Sequence, residues 1–190
     1  MKLNHKTNIN ANIIIKKIYN IIDLGVDIME KIESFKVNHE LLKRGIYVSR
    51  KDYDNNSNEV IATTFDIRIK EPNREPVMNI AELHTIEHLG ATFLRNHLVY
   101  KNETIYFGPM GCRTGFYAIF KGDLSSNDVL DIMKEMFKFM ADYEGDIPGA
   151  DPKSCGNYLD QNLPMAKYEA NKFYNEVLLN IKEDNLIYPN

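Results

Sequence analysis

Tryptophan is absent from this 190-residue chain, and it contains only two cysteines, Cys112 and Cys155. Two thiols with no secretion signal argue against a disulfide-stapled scaffold and for reduced side chains in a cytosolic protein. No apolar run approaches the roughly 18–20 residues that span a bilayer. The longest candidate, Ile13-Ile14-Ile15, meets Lys16-Lys17 at once, which excludes a membrane anchor of that kind. A basic stripe is also missing and the formal net charge is −4, so nucleic-acid binding has little support. With 44% hydrophobic residues the chain is not compositionally disordered. What remains is one well-cored domain.

Residues 1–28 differ from the rest: Ile, Asn and Lys make up 17 of the 28. A signal peptide needs a longer apolar core and a small-residue cleavage site. Two accounts stand. The stretch is an arm, flexible or weakly helical, with Ile14, Ile18, Ile21 and Ile22 roughly on one face. Alternatively it is translated AT-rich spacer DNA ahead of a true start at Met29.

Residues 60–70 alternate Phe65, Ile67 and Ile69 against Asp66, Arg68 and Lys70, which predicts a half-buried strand ended by Pro72 and Pro76. Residues 45–53 suggest a preceding strand, with Asp54-Asn55-Asn56-Ser57-Asn58 as the turn. A helix is expected from Asn79, with Glu82 in the capping-box position and an apolar stripe of Leu83, Ile86, Gly90, Phe93, Leu94 and Leu98. Strands at 104–107 and 112–120 flank the turn Gly108-Pro109-Met110-Gly111. Ser125 and Asp128 open a helix whose buried face is Val129, Ile132, Met133, Met136 and Met140. A loop from Gly145 to Pro152 and a last helix from Leu163-Pro164 to about Ile181 complete the chain. This order predicts an α+β domain, an antiparallel sheet packed with helices.

The chemistry concentrates in His84-Thr85-Ile86-Glu87-His88. Two histidines four apart on a helix share one face and can bind one metal ion. Catalytic sites usually supply three protein ligands and keep a further position open, and Cys155, beside Gly156 in a loop, is the natural third. Helical histidine pairs also occur as plain surface or core residues, and cysteine as a small buried hydrophobe. Against those readings, Glu87 adjoins the apolar stripe, where burial without a partner is costly. Both cysteines also neighbour glycines, where a ligand can approach closely. Cys112 lies in a turn next to Arg113, a setting that favours thiolate. The HxxEH pattern also suggests an inverted zinc peptidase in which Glu87 activates water. Such a hydrolase has no use for Cys112, whereas a lyase or isomerase that moves protons at carbon does. A metal-binding or signalling protein without catalysis is the third class.

Four blocks resemble the LuxS family, S-ribosylhomocysteine lyase: Glu33-Ser34-Phe35-Lys36-Val37-Asn38-His39, Phe65-Asp66-Ile67-Arg68, His84 through Arg95, and Gly108-Pro109-Met110-Gly111-Cys112-Arg113-Thr114-Gly115-Phe116-Tyr117. Cys155-Gly156 follows at the expected remove. The blocks occur in family order from about Met29 to near residue 183, which divides the chain into an extension, 1–28, and a lyase domain, 29–190.

The resemblance implies a compact cytoplasmic α+β homodimer with active sites at the dimer interface and HxxEH on a central helix. Its substrate would be S-ribosylhomocysteine, whose thioether is cleaved by carbonyl migration and β-elimination. The products are homocysteine and 4,5-dihydroxy-2,3-pentanedione, the precursor of the autoinducer-2 quorum-sensing signal, and the reaction belongs to the activated methyl cycle. One divalent metal per subunit is implied, Fe(II) natively, with Zn(II) or Co(II) as substitutes. His84, His88 and Cys155 would be its ligands. Cys112, as a thiolate, would take the proton from carbon and return it, and Glu87 would carry the second set of protons and assist elimination. Ser34, His39 and Arg68 would bind substrate, and Arg68 could also favour the Cys112 thiolate. Three positions depart from the family pattern: Tyr106 in place of an acidic residue, Gly108 in place of a common Ser, and Gln161 in place of a common His.

Overall fold

The computed structural model describes residues 31–189, so the expectations for residues 1–28 and the start at Met29 lie outside the described residues. Residues as far as Lys36 belong to a separate unit whose one described element is the single-turn helix α1, Glu33–Lys36. From Val37 onward the chain forms a second unit, which carries the sheet and the remaining helices.

That unit contains strands β1 (Gly45–Tyr53) and β2 (Val60–Arg68), helix α2 (Ile80–Asn96), strands β3 (Thr104–Pro109) and β4 (Gly115–Lys121), and helices α3 (Leu130–Asp142) and α4 (Leu163–Glu176). The four strands form one antiparallel sheet in the order β1-β2-β4-β3. The expected α+β architecture is the one found. No helix among the described residues is long and apolar enough to cross a membrane.

Helix α2 begins as its sequence dictates. The Glu82 carboxylate accepts the main-chain N–H of Asn79 at 2.7 Å, satisfying a donor at the helix start. Ile86, Leu89 and Leu94 are fully buried among Phe65, Ile67, Phe116 and Phe120 of the sheet. Met133, Met136 and Met140 of α3 and Phe173 of α4 close the same core. Gly90 is required by proximity, because a Cβ there would collide with the Phe107 ring and the Met140 methyl. The close approach offsets the roughly 1 kcal/mol that glycine costs inside a helix. Leu98 does not extend the stripe: α2 ends at Asn96, and Leu98 is exposed.

Two expected boundaries shift. The hairpin turn comes later, so Cys112 and Arg113 lie in the β3–β4 connection and not on a strand. Arg113, at φ 60°, takes the left-handed backbone conformation that turns often assign to glycine. The last helix stops at Glu176, followed by two 3-10 turns, Leu178–Asn180 and Glu183–Asn185.

The larger difference is in β2, which is buried on both faces from Ala62 to Arg68. Its charged residues face partners, not solvent. Arg68 Nη2 donates to Asp66 Oδ2 at 2.5 Å, and beyond the strand Lys70 Nζ donates to Glu169 Oε1 of α4 at 2.6 Å. Buried charge is tolerated here because it is paired.

Candidate functional site

One turn of α2 and one loop assemble the first cluster. His84 and His88 project from the same face of α2, with ring centroids 4.6 Å apart. His84 Nδ1 is 2.9 Å from the carbonyl oxygen of Asp160, and His88 Nδ1 is 2.7 Å from that of Pro148. A carbonyl only accepts, so each Nδ1 carries the proton and each Nε2 presents a lone pair. The two Nε2 atoms lie 3.0 Å apart, and Cys155 Sγ is 3.4 Å from that of His84. One donor atom from each of the three residues falls within 4.8 Å of the other two. Converging lone pairs repel unless a cation lies between them. The two-nitrogen, one-sulfur donor set suits a divalent transition ion, and outward N–H···O=C bonds are the usual support of histidine ligands.

The loop that links α3 to α4 provides Cys155 and both carbonyls. Asp151 shapes it: its side-chain oxygen accepts the N–H groups of Lys153 and Ser154, and its carbonyl accepts that of Cys155 at 3.0 Å. Gln161 fastens the loop to the helix, with its Oε1 accepting the Thr85 hydroxyl at 2.7 Å and its amide edge lying against the His84 ring. Glu87, on the same turn of α2, is half-buried, and among the described residues its carboxylate has no hydrogen-bond or ion-pair partner. It is an uncommitted base next to the imidazole pair.

Cys112 belongs to a second cluster at the mouth of the β3–β4 hairpin. Its Sγ lies 3.0 Å from Thr114 Oγ1 and 3.7 Å from Arg68 Nη1, and the same Nη1 also donates to Thr114 Oγ1. Partial desolvation pushes the thiol up, but hydrogen bonds from the Thr114 side chain and main chain, with the Arg68 charge, outweigh it. The thiol therefore sits below its ordinary value. Asp66 holds the other arm of the Arg68 guanidinium, and the Tyr188 hydroxyl donates to the same Asp66 Oδ2 at 2.9 Å. Burial drives the Asp66 carboxyl up, against the pull of Arg68 and Tyr188.

The other expected substrate residues are placed as follows. Arg68 lies within the thiol cluster. His39 is half-buried, with Nδ1 donating to the Val37 carbonyl at 2.9 Å, and is close enough to Asp66 to act on its charge. Ser34 lies in α1, within the N-terminal unit. The two cysteines are thus divided: Cys155 stands with the imidazoles, and Cys112 stands with a guanidinium.

Residues 32–184 match the family model described as S-Ribosylhomocysteinase (LuxS). The chain belongs to the LuxS family. An S-ribosylhomocysteine lyase of Clostridium beijerinckii is 62% identical over 162 residues, covering 85% of this chain and all of that protein. One from Finegoldia magna is 64% identical over 161 residues, 85% of this chain and 99% of that protein. One from Porphyromonas gingivalis is 58% identical over the same length, with the same coverage of each chain.

Within this LuxS-family chain, several supporting groups escaped sequence reasoning. Every residue offers a carbonyl, so nothing in the sequence marks those of Pro148 and Asp160. Asp66 and Thr114 stood inside motif blocks without a role assigned. The one available signal was their chemistry: an acid two residues before Arg68 on the same strand face, and a hydroxyl two residues after Cys112.

Proposed function

We propose that this protein is a metal-dependent carbon–sulfur lyase that cleaves the thioether of S-ribosylhomocysteine. Its products are homocysteine and 4,5-dihydroxy-2,3-pentanedione, the autoinducer-2 precursor. The observation that carries this reading is the division of the two thiols. A hydrolase built on His84, Glu87 and His88 needs no second, separately activated cysteine. A reaction that moves a proton between neighbouring carbons needs a base distinct from the metal ligands, and Cys112 has the lowered pKa suited to that task.

His84, His88 and Cys155 would hold one divalent ion, which when bound supplies Lewis-acid polarisation of the substrate's sugar oxygens. Fe(II) is the proposed native ion, with Zn(II) or Co(II) as substitutes. The Cys112 thiolate takes a proton from carbon and returns it to the adjacent carbon. Glu87 moves the oxygen-borne protons and assists departure of the homocysteine thiolate. Arg68 steadies the Cys112 thiolate and binds substrate together with Ser34 and His39. The catalytic domain is taken as residues 29–190, acting in the cytoplasm as a homodimer with its sites at the interface. Large apolar side chains left exposed, among them Ile80, Leu98 and Leu159, accord with a partner surface. The product serves quorum sensing, and homocysteine re-enters the activated methyl cycle.

The test is release of free thiol from S-ribosylhomocysteine by the purified, metal-loaded protein. Cys112→Ala and Glu87→Gln should abolish release while metal content persists. A folded, metal-loaded protein that releases no thiol would refute the proposal.

A further inference from the structure

The hydrogen-bonded row that ends at Cys112 begins outside the family blocks, at Tyr188. This residue lies beyond the matched segment 32–184, on a C-terminal strap that folds back over β1. The strap is held at several points. Asn185 Nδ2 donates to the Arg44 carbonyl at 2.8 Å, Ser126 Oγ donates to the Leu186 carbonyl at 3.0 Å, and Lys43 pairs with Asp184. Tyr188 stacks on Tyr47, with ring centroids 4.8 Å apart and planes within 10° of parallel. Its hydroxyl then reaches the buried Asp66.

The Asp66–Arg68 pair needs such an anchor. Among the described residues, Asp66 Oδ1 and Arg68 Nε are both buried without a hydrogen-bond partner, so the two side chains are joined by one bond, Nη2 to Oδ2, and not by a two-pronged fork. A carboxylate held by one bond can rotate and carry the guanidinium with it. The Tyr188 hydroxyl supplies a second hold on the same Oδ2. Arg68 reaches Cys112 at 3.7 Å, a distance at which a small rotation loses the contact.

We propose that Tyr188 is a positioning residue which, by fixing Asp66, aims Arg68 at Cys112 and so maintains the reactive thiolate. The inference rests on the reading of Cys112 as the proton carrier. The ionisable groups facing the row are Asp66 and Arg68 on β2, Glu71 after it, Tyr47 on β1, His39 before β1, and Asp184 at the strap's base, besides Tyr188 and Cys112. Tyr188→Phe keeps the ring and its stacking and removes only the hydroxyl.

The experiment measures the rate of iodoacetamide alkylation of Cys112 against pH in the metal-loaded, full-length protein, with the modified cysteine located by peptide mass mapping. Tyr188→Phe should raise the midpoint by roughly half a unit, slowing alkylation below it about threefold. Asn185→Ala frees one anchor of the strap that carries Tyr188 and should raise the midpoint in the same direction, by no more than Tyr188→Phe does. An unchanged or lowered midpoint in Tyr188→Phe, or a larger rise in Asn185→Ala than in Tyr188→Phe, overturns the proposal. Alkylation reports the thiol whether or not the wild-type protein turns over S-ribosylhomocysteine, so failure here is separable from failure of the lyase assignment.

Discussion

The Nε2 atoms of His84 and His88 face each other at 3.0 Å, because each ring has committed its Nδ1 proton to a main-chain carbonyl. Such a pair is stable with a cation between the nitrogens and repulsive without one. Removing the metal with a chelator should therefore lower the melting temperature. Metal at a hundredfold excess over its Kd adds about 2.7 kcal/mol to folding, which is roughly 5–10 °C for a domain of this size. Calorimetry with and without chelator measures the shift. Cys155→Ala should lose metal on dialysis, and full metal content in that variant would remove Cys155 from the site.

Breaking the buried Asp66–Arg68 pair should be costly. Asp66→Asn leaves the guanidinium without its counter-charge, an imbalance worth about 3–5 kcal/mol. Urea denaturation should show a lower midpoint with an unchanged slope. Arg68→Lys should not rescue the cluster, since one ammonium cannot span Asp66, Thr114 and Cys112 as the planar guanidinium does.

Thr114→Val removes the hydroxyl that bonds Cys112 and keeps the shape of the side chain. The Cys112 thiol should titrate at higher pH, and the activity limb that rises with thiolate formation should move the same way. Thiolate ultraviolet absorbance and the pH dependence of kcat/KM check this. The sign for stability follows from the lowered folded-state pKa. Cys112 contributes fully above its ordinary value of 9.0 and loses that contribution as pH falls through the lower folded value.

Two of the departures from the family pattern are physically coupled. A Cβ at Gly108 would collide with the end of the Tyr106 side chain, which lies across it on β3. Gly108→Ser should therefore swing the exposed Tyr106 ring aside, at a cost below about 1 kcal/mol. Tyr106→Ala should erase that cost, and a double-mutant cycle in thermal melts measures the coupling.

The sequence revealed the parts of this molecule that depend on side-chain pattern. The Met133, Met136 and Met140 face of α3, the start of α2 at Asn79, and the trio His84, His88 and Cys155 all rest on spacing or residue type. In β2, Asp66, Arg68 and Lys70 alternate with apolar residues as a solvated face does, which predicts a half-buried strand. Alternation cannot distinguish charges facing water from charges facing one another. Gly108 and Pro109 are turn-forming residue types and predict an early turn, yet both pair with β4. The Tyr188 contact was hidden for a third reason: it joins positions 122 residues apart, and no local pattern records such a meeting.

The loop from Gly145 to Asn162 holds Cys155 and both carbonyl partners, yet none of its residues is buried. With no buried residue of its own, it keeps its place through the Asp151 turn and through bonds to α2 that converge on the ion-binding face. Its backbone should be a protease target whose cutting rate tracks metal occupancy. Demetallated protein would then be nicked between α3 and α4 while the helical core stays folded, so metal starvation would register first as a clipped chain.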